Sequence, residues 1–346
     1  MHTLIEHVVK LTDHRDRDFL ELTLSKSLLD LLPIGRIVIA KIVREEGEER
    51  WLEVARLDSK GGGRVLADPM RTDFQTLPKL DEDSDRCGCV RNRQRVEKIW
   101  VAPDGPRVNY VPLFSDVRGE DEGVIELHSD TALDAQSLQL LDQLCRIYRN
   151  MYSLLEFSDR DAMTGLLNRK SLNDAFYNTF FEEVGGTPTP APAGSEPERR
   201  NRVPANYWLG SASIDNFKLI SEKHGQTVVT EVLSLVARAL KNTFRTYDRL
   251  YRFDGGHFGV LMHCPDEALV LAAFERLRMN VEKSTLSQVG RITLSCGFSS
   301  VLAEDSPNSL LQKTEVAMNF AQRSGGNKAC SYQGLVQRGI LVDRPV

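Results

Sequence analysis

With 346 residues, 41% of them apolar and 27% charged, and a formal net charge of −5, the chain is long enough for two domains, each with its own core. The slight acidity gives no electrostatic footing for a nucleic-acid binder or for a protein held on an anionic membrane surface. The longest apolar runs, such as "IGRIVIAKIV" at 34–43, are cut by Arg36 and Lys41, far short of the ~20 residues of a spanning helix.

The opening "MHTLIEHVVKLTDHRDRDF" lacks the apolar core and small-residue cleavage site of a signal peptide. Cysteines at 87, 89, 145, 264, 296 and 330 have no framework spacing, and the two features together predict a cytoplasmic protein. Cys87 and Cys89 in "DRCGCV" are half a metal site at most. With no second pair nearby, they read as two half-buried residues flanking a turn glycine.

In chain order, Phe19, Leu22, Leu24, Leu28, Leu29 and Leu32 predict a helix that Pro33 stops. "RIVIAKIVREE" and "RWLEVARLD" alternate as strands across a polar "EGEE" turn, a hairpin. Residues 58–95 read as loops with a short helix, and "RVNYVPLF" and "GVIELHSD" as two more strands. In "VRNRQRVEK", Arg91, Arg93 and Arg95 fall on alternate positions, the spacing of one strand face, which reads as a solvated face with contact to an anionic ligand as the alternative. A long helix follows over 133–157. Its Leu141, Leu144, Tyr148, Met151 and Leu155 form a three-four stripe that predicts a parallel two-stranded seam, hence a homodimer; packing on its own domain is the alternative.

This order of elements resembles the GAF family, chiefly over "YVPLFSDVRGEDEGVIELHSDTALDAQSLQLLDQLC" and covering about residues 15–150. That resemblance implies architecture more than chemistry.

The second half carries more specific signals. "DRDAMTGLLNRK" at 159–170, "IDNFK" at 214–218, the amphipathic "HGQTVVTEVLSLVARAL", the hairpin "RTYDRLYRFDGGHFGVLM", "ITLSCGFS" at 292–299 and "EVAMNFAQRSGGNK" follow one another in the order of the GGDEF family. Members of that family, the diguanylate cyclases, join two GTP molecules into cyclic di-GMP. Between these stretches, residues 184–206 hold five prolines and three glycines and predict a disordered insertion.

The resemblance, taken position by position, implies a degenerate site. Where the family places two acidic residues in its hairpin, this chain has Gly256 and His257; where it places a metal-binding Asp before "IDNFK", it has Ser213. Mg²⁺ prefers carboxylate oxygens, and phosphate chemistry on GTP needs the cation. The expected guanine readers are Ser221 and Thr230, and the expected phosphate holders Gln322 and Gly326. Lys218 and Phe217 survive. A residual cyclase, with Mg²⁺ as its cofactor, would need Asp215 and Asp254 to stand in for the lost ligands.

The resemblance also implies an inhibitory site for cyclic di-GMP at "RTYD". There Arg245 and Asp248, helped by Arg276 and Arg278, would stack on and hydrogen-bond guanine. The expected fold is α+β in two domains: a GAF-like sensory and dimerisation domain with an antiparallel sheet and helices at 1–150, a helical linker at 151–160, and a degenerate GGDEF palm with a central antiparallel sheet flanked by helices at 161–335, followed by a tail at 336–346. The expected function is a catalytically inactive cyclic di-GMP receptor acting on a protein effector. A cyclase with residual activity and a scaffold that binds no nucleotide are the alternatives. No nucleic-acid partner, membrane span or resident cofactor is expected.

Overall fold

A computed structural model describes residues 2–13, 17–45, 47–59, 64–65, 70, 72–99, 106–114, 122–180, 206–286, 288–302 and 304–342. The expected insertion at 184–206 lies, but for its last residue, outside them. The chain divides into two compact units, Met1–Ser158 and Asp159–Val346. Among the described residues no helix is long and apolar enough to cross a membrane.

The first unit runs α1 (His2–Asp13), α2 (Arg17–Leu31), β1 (Arg36–Glu45), β2 (Glu48–Asp58), β3 (Arg64–Val65), α3 (Ser84–Asn92), β4 (Val96–Ile99), β5 (Arg107–Leu113), β6 (Gly123–Ser129) and α4 (Ala135–Asp159). Its strands form one antiparallel sheet in the order β3-β2-β1-β6-β5-β4. The predicted hairpin is β1–β2, with Gly47 at a φ of 86° in its turn. Successive residues of β1 are buried on both faces: Ile37 and Ile39, then Val38 and Ala40. Both faces must therefore be covered. Cys89 on α3 packs with Trp51, Val108, Tyr110 and Val124 on one. On the other, the Lys41 ammonium pairs with buried Glu21 on α2 and stands over the Tyr152 ring of α4.

Three expectations meet the structure here. Arg91 lies in α3, Arg93 caps that helix in the left-handed region (φ 50°), and Arg95 lies just before β4; the three arginines share no strand face, because the hydrogen-bonded turn of α3 runs through them. Leu141, Leu144, Tyr148 and Leu155 are buried within the single chain, and the Tyr148 hydroxyl donates to Glu21 Oε1 at 3.3 Å. Most of the stripe is thus covered within the single chain, while Leu154 and Phe157 of the same helix remain exposed, at 64% and 87%. Finally, the residues expected as a helical linker at 151–160 are helical as far as Asp159, as the unbroken end of α4.

The second unit runs β7 (Leu167–Asn168), α5 (Arg169–Phe180), β8 (Tyr207–Ile214), α6 (Phe217–Thr243), β9 (Arg249–Arg252), β10 (His257–His263), α7 (Glu267–Lys283), β11 (Thr285–Leu286), β12 (Gly290–Arg291), β13 (Leu294–Ser300), α8 (Pro307–Arg323), β14 (Ala329–Ser331) and α9 (Tyr332–Gln337). The main sheet has the order β14-β13-β8-β10-β9-β7. Its centre is antiparallel, but the edge pairs β13–β14 and β7–β9 are parallel. Helix α9 crosses the expected boundary at 335, with Leu335 fully buried.

Every residue of β8 is buried, so its two faces meet two layers of helix. Gly210, in register with Val260 and Phe298, lies under the Phe274 ring of α7; a Cβ there would stand 2.0 Å from Phe274 Cζ. That ring stacks on Phe298 at 5.5 Å. On the opposite face Ser211 bonds Thr314 of α8 at 2.6 Å, and Gly297 lets the α8 backbone settle directly on the sheet. Side chains alternate along a strand, so Ser213 also faces α8.

Candidate functional site

Two segments far apart in sequence build the hairpin's base. Asp161 accepts from the Thr164 amide (2.9 Å) and hydroxyl (2.7 Å) through Oδ1, which curls "DAMTGL" into a turn. Its Oδ2 accepts from Arg252 Nη1 at 2.7 Å, a pair with side chains only 11% and 19% exposed. Arg252 also donates to the Gly255 carbonyl at 3.2 Å. Asn168 caps α5 by accepting from the Ser171 amide, and β7 lies parallel to β9. The opening motif of the unit thus docks and orients the hairpin. Its sequence was informative about family, but the Asp161–Arg252 pairing spans 91 residues and has no local signature.

The turn is closed by the His257 amide donating to the Asp254 carbonyl at 3.0 Å. Gly255 and Gly256 are therefore its central residues, one place beyond the Asp-Gly pair, and Gly255 has a φ of 56°. The Gly256 carbonyl accepts from the Ile214 amide at 3.0 Å, which pins it beside β8. A Cβ at Gly256 would lie 2.7 Å from Cγ and 2.8 Å from Cδ2 of Phe217. The aromatic ring fills the place where a side chain at this position would start.

His257 is exposed and stands opposite Ser213 in the β10–β8 register. Ser213 is 2% exposed, and its hydroxyl accepts from Gln322 Nε2 at 3.0 Å. Three of the altered positions, from β8, β10 and α8, thus come together. Asp215 does something else: Oδ1 accepts from Ser295 Oγ at 2.6 Å, and Oδ2 from Thr293 Oγ1 at 2.7 Å and the Asn327 amide at 3.0 Å. Its carboxylate is engaged by Thr293, by Ser295 of β13 and by the loop after α8, while Asp254 is exposed on the hairpin turn.

The phosphate and guanine positions tell the same story. Gly326 has a φ of 70° and lies against Asp215, a conformation that L side chains resist. Thr230 bonds back to the Gln226 carbonyl of its own helix at 3.0 Å. Ser221 and Thr230 are separated by a kink in α6 at Gly225 (φ 77°, ψ 179°). Lys218 extends into solvent, 91% exposed. A hydroxyl bonded to an amide, an imidazole, a glycine and a carboxylate already holding three donors do not fit Mg²⁺, which wants several unengaged hard oxygens.

At "RTYD" the backbone forms a closed turn. The Arg245 amide donates to Asp248 Oδ2 at 2.9 Å, and the Asp248 amide returns to the Arg245 carbonyl at 3.1 Å. Asp248 is buried, at 7% exposure, so its carboxylate holds the loop's shape. Arg245 is exposed, its guanidinium 5.9 Å from the Tyr247 ring centre. Exposed Arg276 reaches from α7 to the Thr243 carbonyl at 2.9 Å, two residues before Arg245, and Asn280 donates to the Thr243 hydroxyl at 3.2 Å. Thr243 and Asn280 carried no motif and were missed in the sequence.

Arg278 is not part of this group. It is held by Glu275 (2.8 Å), Glu282 (2.6 Å) and Asn327 (3.0 Å). Two helical positions after Arg276, it points to another side of α7.

With this geometry in view, comparison with known proteins gives a class. Residues 198–328 match the family described as "Diguanylate cyclase, GGDEF domain", and the second unit carries a GGDEF domain over that stretch. Diguanylate cyclase DgcM of Escherichia coli K12 is 26% identical over 208 residues, 60% of this chain and 45% of that protein. Diguanylate cyclase DgcZ of the same organism is 24% identical over 181 residues, 51% of this chain and 55% of that one. The chain spans about half the length of these curated relatives. Among solved structures, the GGDEF domain of DgcB from Caulobacter crescentus in complex with c-di-GMP is 20% identical with a TM-score of 0.41, covering 51% of this chain and 96% of that one.

Proposed function

We propose that the second unit is a GGDEF domain without cyclase chemistry that serves as a receptor for cyclic di-GMP. The observation that carries the first half is Phe217 standing in the side-chain space of position 256, next to a Ser213 engaged by Gln322. Asp215 is committed to Ser295, Thr293 and Asn327, and among the described residues no group of three or more His, Cys, Asp or Glu could hold a metal ion. Receptor function rests on the ordered turn at Arg245–Asp248 with Arg276 beside it. Two exposed guanidinium groups near one loop suit the faces and edges of guanine bases. A relative in the fold comparison is a GGDEF domain with c-di-GMP bound, in keeping with the ligand class.

The first unit completes this reading as a GAF-like sensory domain in a cytoplasmic homodimer that passes its signal to a protein effector. The second reading, residual diguanylate cyclase activity, is favoured by the names of the relatives. Calorimetry with cyclic di-GMP separates the readings: the wild type binds, and Arg245→Ala loses at least about 1.5 kcal/mol of binding energy, the worth of a charge-assisted hydrogen bond. No binding by the wild type refutes the receptor.

A further inference from the structure

The first unit holds a half-open recess of about 330 Å³ between its sheet and α3. Ile42 of β1, Leu80, and Cys87 and Val90 of α3 make its apolar wall. Cys87, Val90 and Arg91 line it together because residues three and four apart share one side of a helix. The polar rim is Arg44, Glu49, Glu122, Arg91 and Arg93.

The charges on that rim do not cancel. Glu49 holds Arg44 at 2.6 Å, and Glu122 is shared between Arg44 at 3.4 Å and Arg93 at 3.7 Å. Arg93 also lies 5.0 Å over the Phe114 ring, which fixes its plane beside the opening. Arg91, exposed at the end of α3, has no partner among the described residues. Three arginines against two glutamates leave one guanidinium uncompensated, at the mouth of a recess that has one apolar wall. A guanidinium offers a planar fork of donors suited to a carboxylate or phosphate. The volume falls within the range of small-ligand sites, where an apolar wall takes the body and a few polar groups fix orientation.

We propose that this recess binds a small anion with an apolar body, its carboxylate or phosphate seated on Arg91 beside Arg93 and its body against Ile42, Leu80 and Val90. A cation is disfavoured because both glutamates are already paired with arginine. A fully apolar ligand would leave Arg91 without a partner. The site stands independently of the nucleotide reading of the second unit.

The test uses the full chain and four probes of similar body: phenylacetate, phenyl phosphate, phenethylamine and phenethyl alcohol. Binding is read by saturation-transfer NMR and calorimetry. At least one of the two anions binds at millimolar concentration or below, and the better of them identifies the head group; amine and alcohol do not bind. Arg91→Ala weakens the anion by about tenfold or more, the worth of a charged hydrogen bond, and Arg91→Lys retains part of it. Val90→Trp, which fills the apolar wall, abolishes binding. Should Val90→Trp fail to fold by circular dichroism, exposed Arg91 decides alone. Absence of binding by both anions, equal binding by the amine, or anion affinity unchanged in Arg91→Ala overturns the proposal.

Discussion

Phe217 occupies the space into which a side chain at Gly256 would project, its ring carbon Cγ 2.7 Å from where a Cβ would stand. The two residues meet because α6 begins directly after β8 while the hairpin turn is pinned to β8 through the Gly256 carbonyl and Ile214 amide. Gly256→Ala therefore lowers stability by about 1–3 kcal/mol, the usual cost of overpacking, read as a shift in the urea midpoint. The triple replacement Ser213→Asp, Gly256→Asp and His257→Glu restores no GTP turnover, since the ring and the missing base and phosphate contacts remain. Turnover by that variant would show the loss to be one of carboxylates alone.

Asp161 and Arg252 hold the hairpin to the opening turn of the second unit. Removing the carboxylate in Asp161→Ala leaves a largely buried guanidinium without its 2.7 Å partner and frees the Thr164 amide. The expected cost is about 1.5–3 kcal/mol by chemical denaturation. A change below about 0.5 kcal/mol would mean that the pair only decorates the fold.

The two arginines of α7 separate cleanly by experiment. Arg276→Ala weakens cyclic di-GMP binding, because this side chain lies beside Arg245. Arg278→Ala leaves that affinity unchanged and lowers stability, because it breaks the links to Glu275, Glu282 and Asn327. The reverse pattern would move the binding surface to the other side of the helix.

The first unit carries a pH dependence. Burial alone would raise the Glu126 carboxyl, but hydrogen bonds from His128 and Arg86, together with the Arg86 charge, hold it below the ordinary 4.5. A carboxyl depressed in the folded state contributes stability above its unfolded value and loses it as pH falls through the folded one. Thermal stability of the first unit therefore drops on acidification below about 4.5, and Glu126→Gln flattens that slope. An unaltered slope in the variant would assign the effect to other acids.

Much of this was legible in the sequence, and the reason lies in periodicity. The β1–β2 hairpin, the amphipathic face of α6 and the alternation of the β9–β10 hairpin are local patterns, and each formed where the spacing predicted. The arginines at 91, 93 and 95 were misread because a two-residue spacing of charges also arises at a helix end, where Arg93 turns left-handed. The stripe through Leu141, Leu144, Tyr148 and Leu155 was read correctly as apolar, but a stripe does not say whether its cover is the same chain or a second copy. At the candidate site, the residues that are absent could be read from the motif. The contacts that replaced them could not, since Gln322 reaches Ser213 across 109 positions and Asn327 reaches Asp215 across 112.

We propose that the GGDEF domain has given up Mg²⁺-dependent chemistry on GTP and kept a surface for cyclic di-GMP. A side-by-side calorimetric titration with cyclic di-GMP and with GTP, each with and without Mg²⁺, tests it most directly. The predicted result is saturable binding of cyclic di-GMP that Mg²⁺ does not alter and that Arg245→Ala weakens, with no Mg²⁺-dependent heat from GTP. Tight Mg²⁺-dependent binding of GTP, with cyclic di-GMP appearing as product, would contradict it.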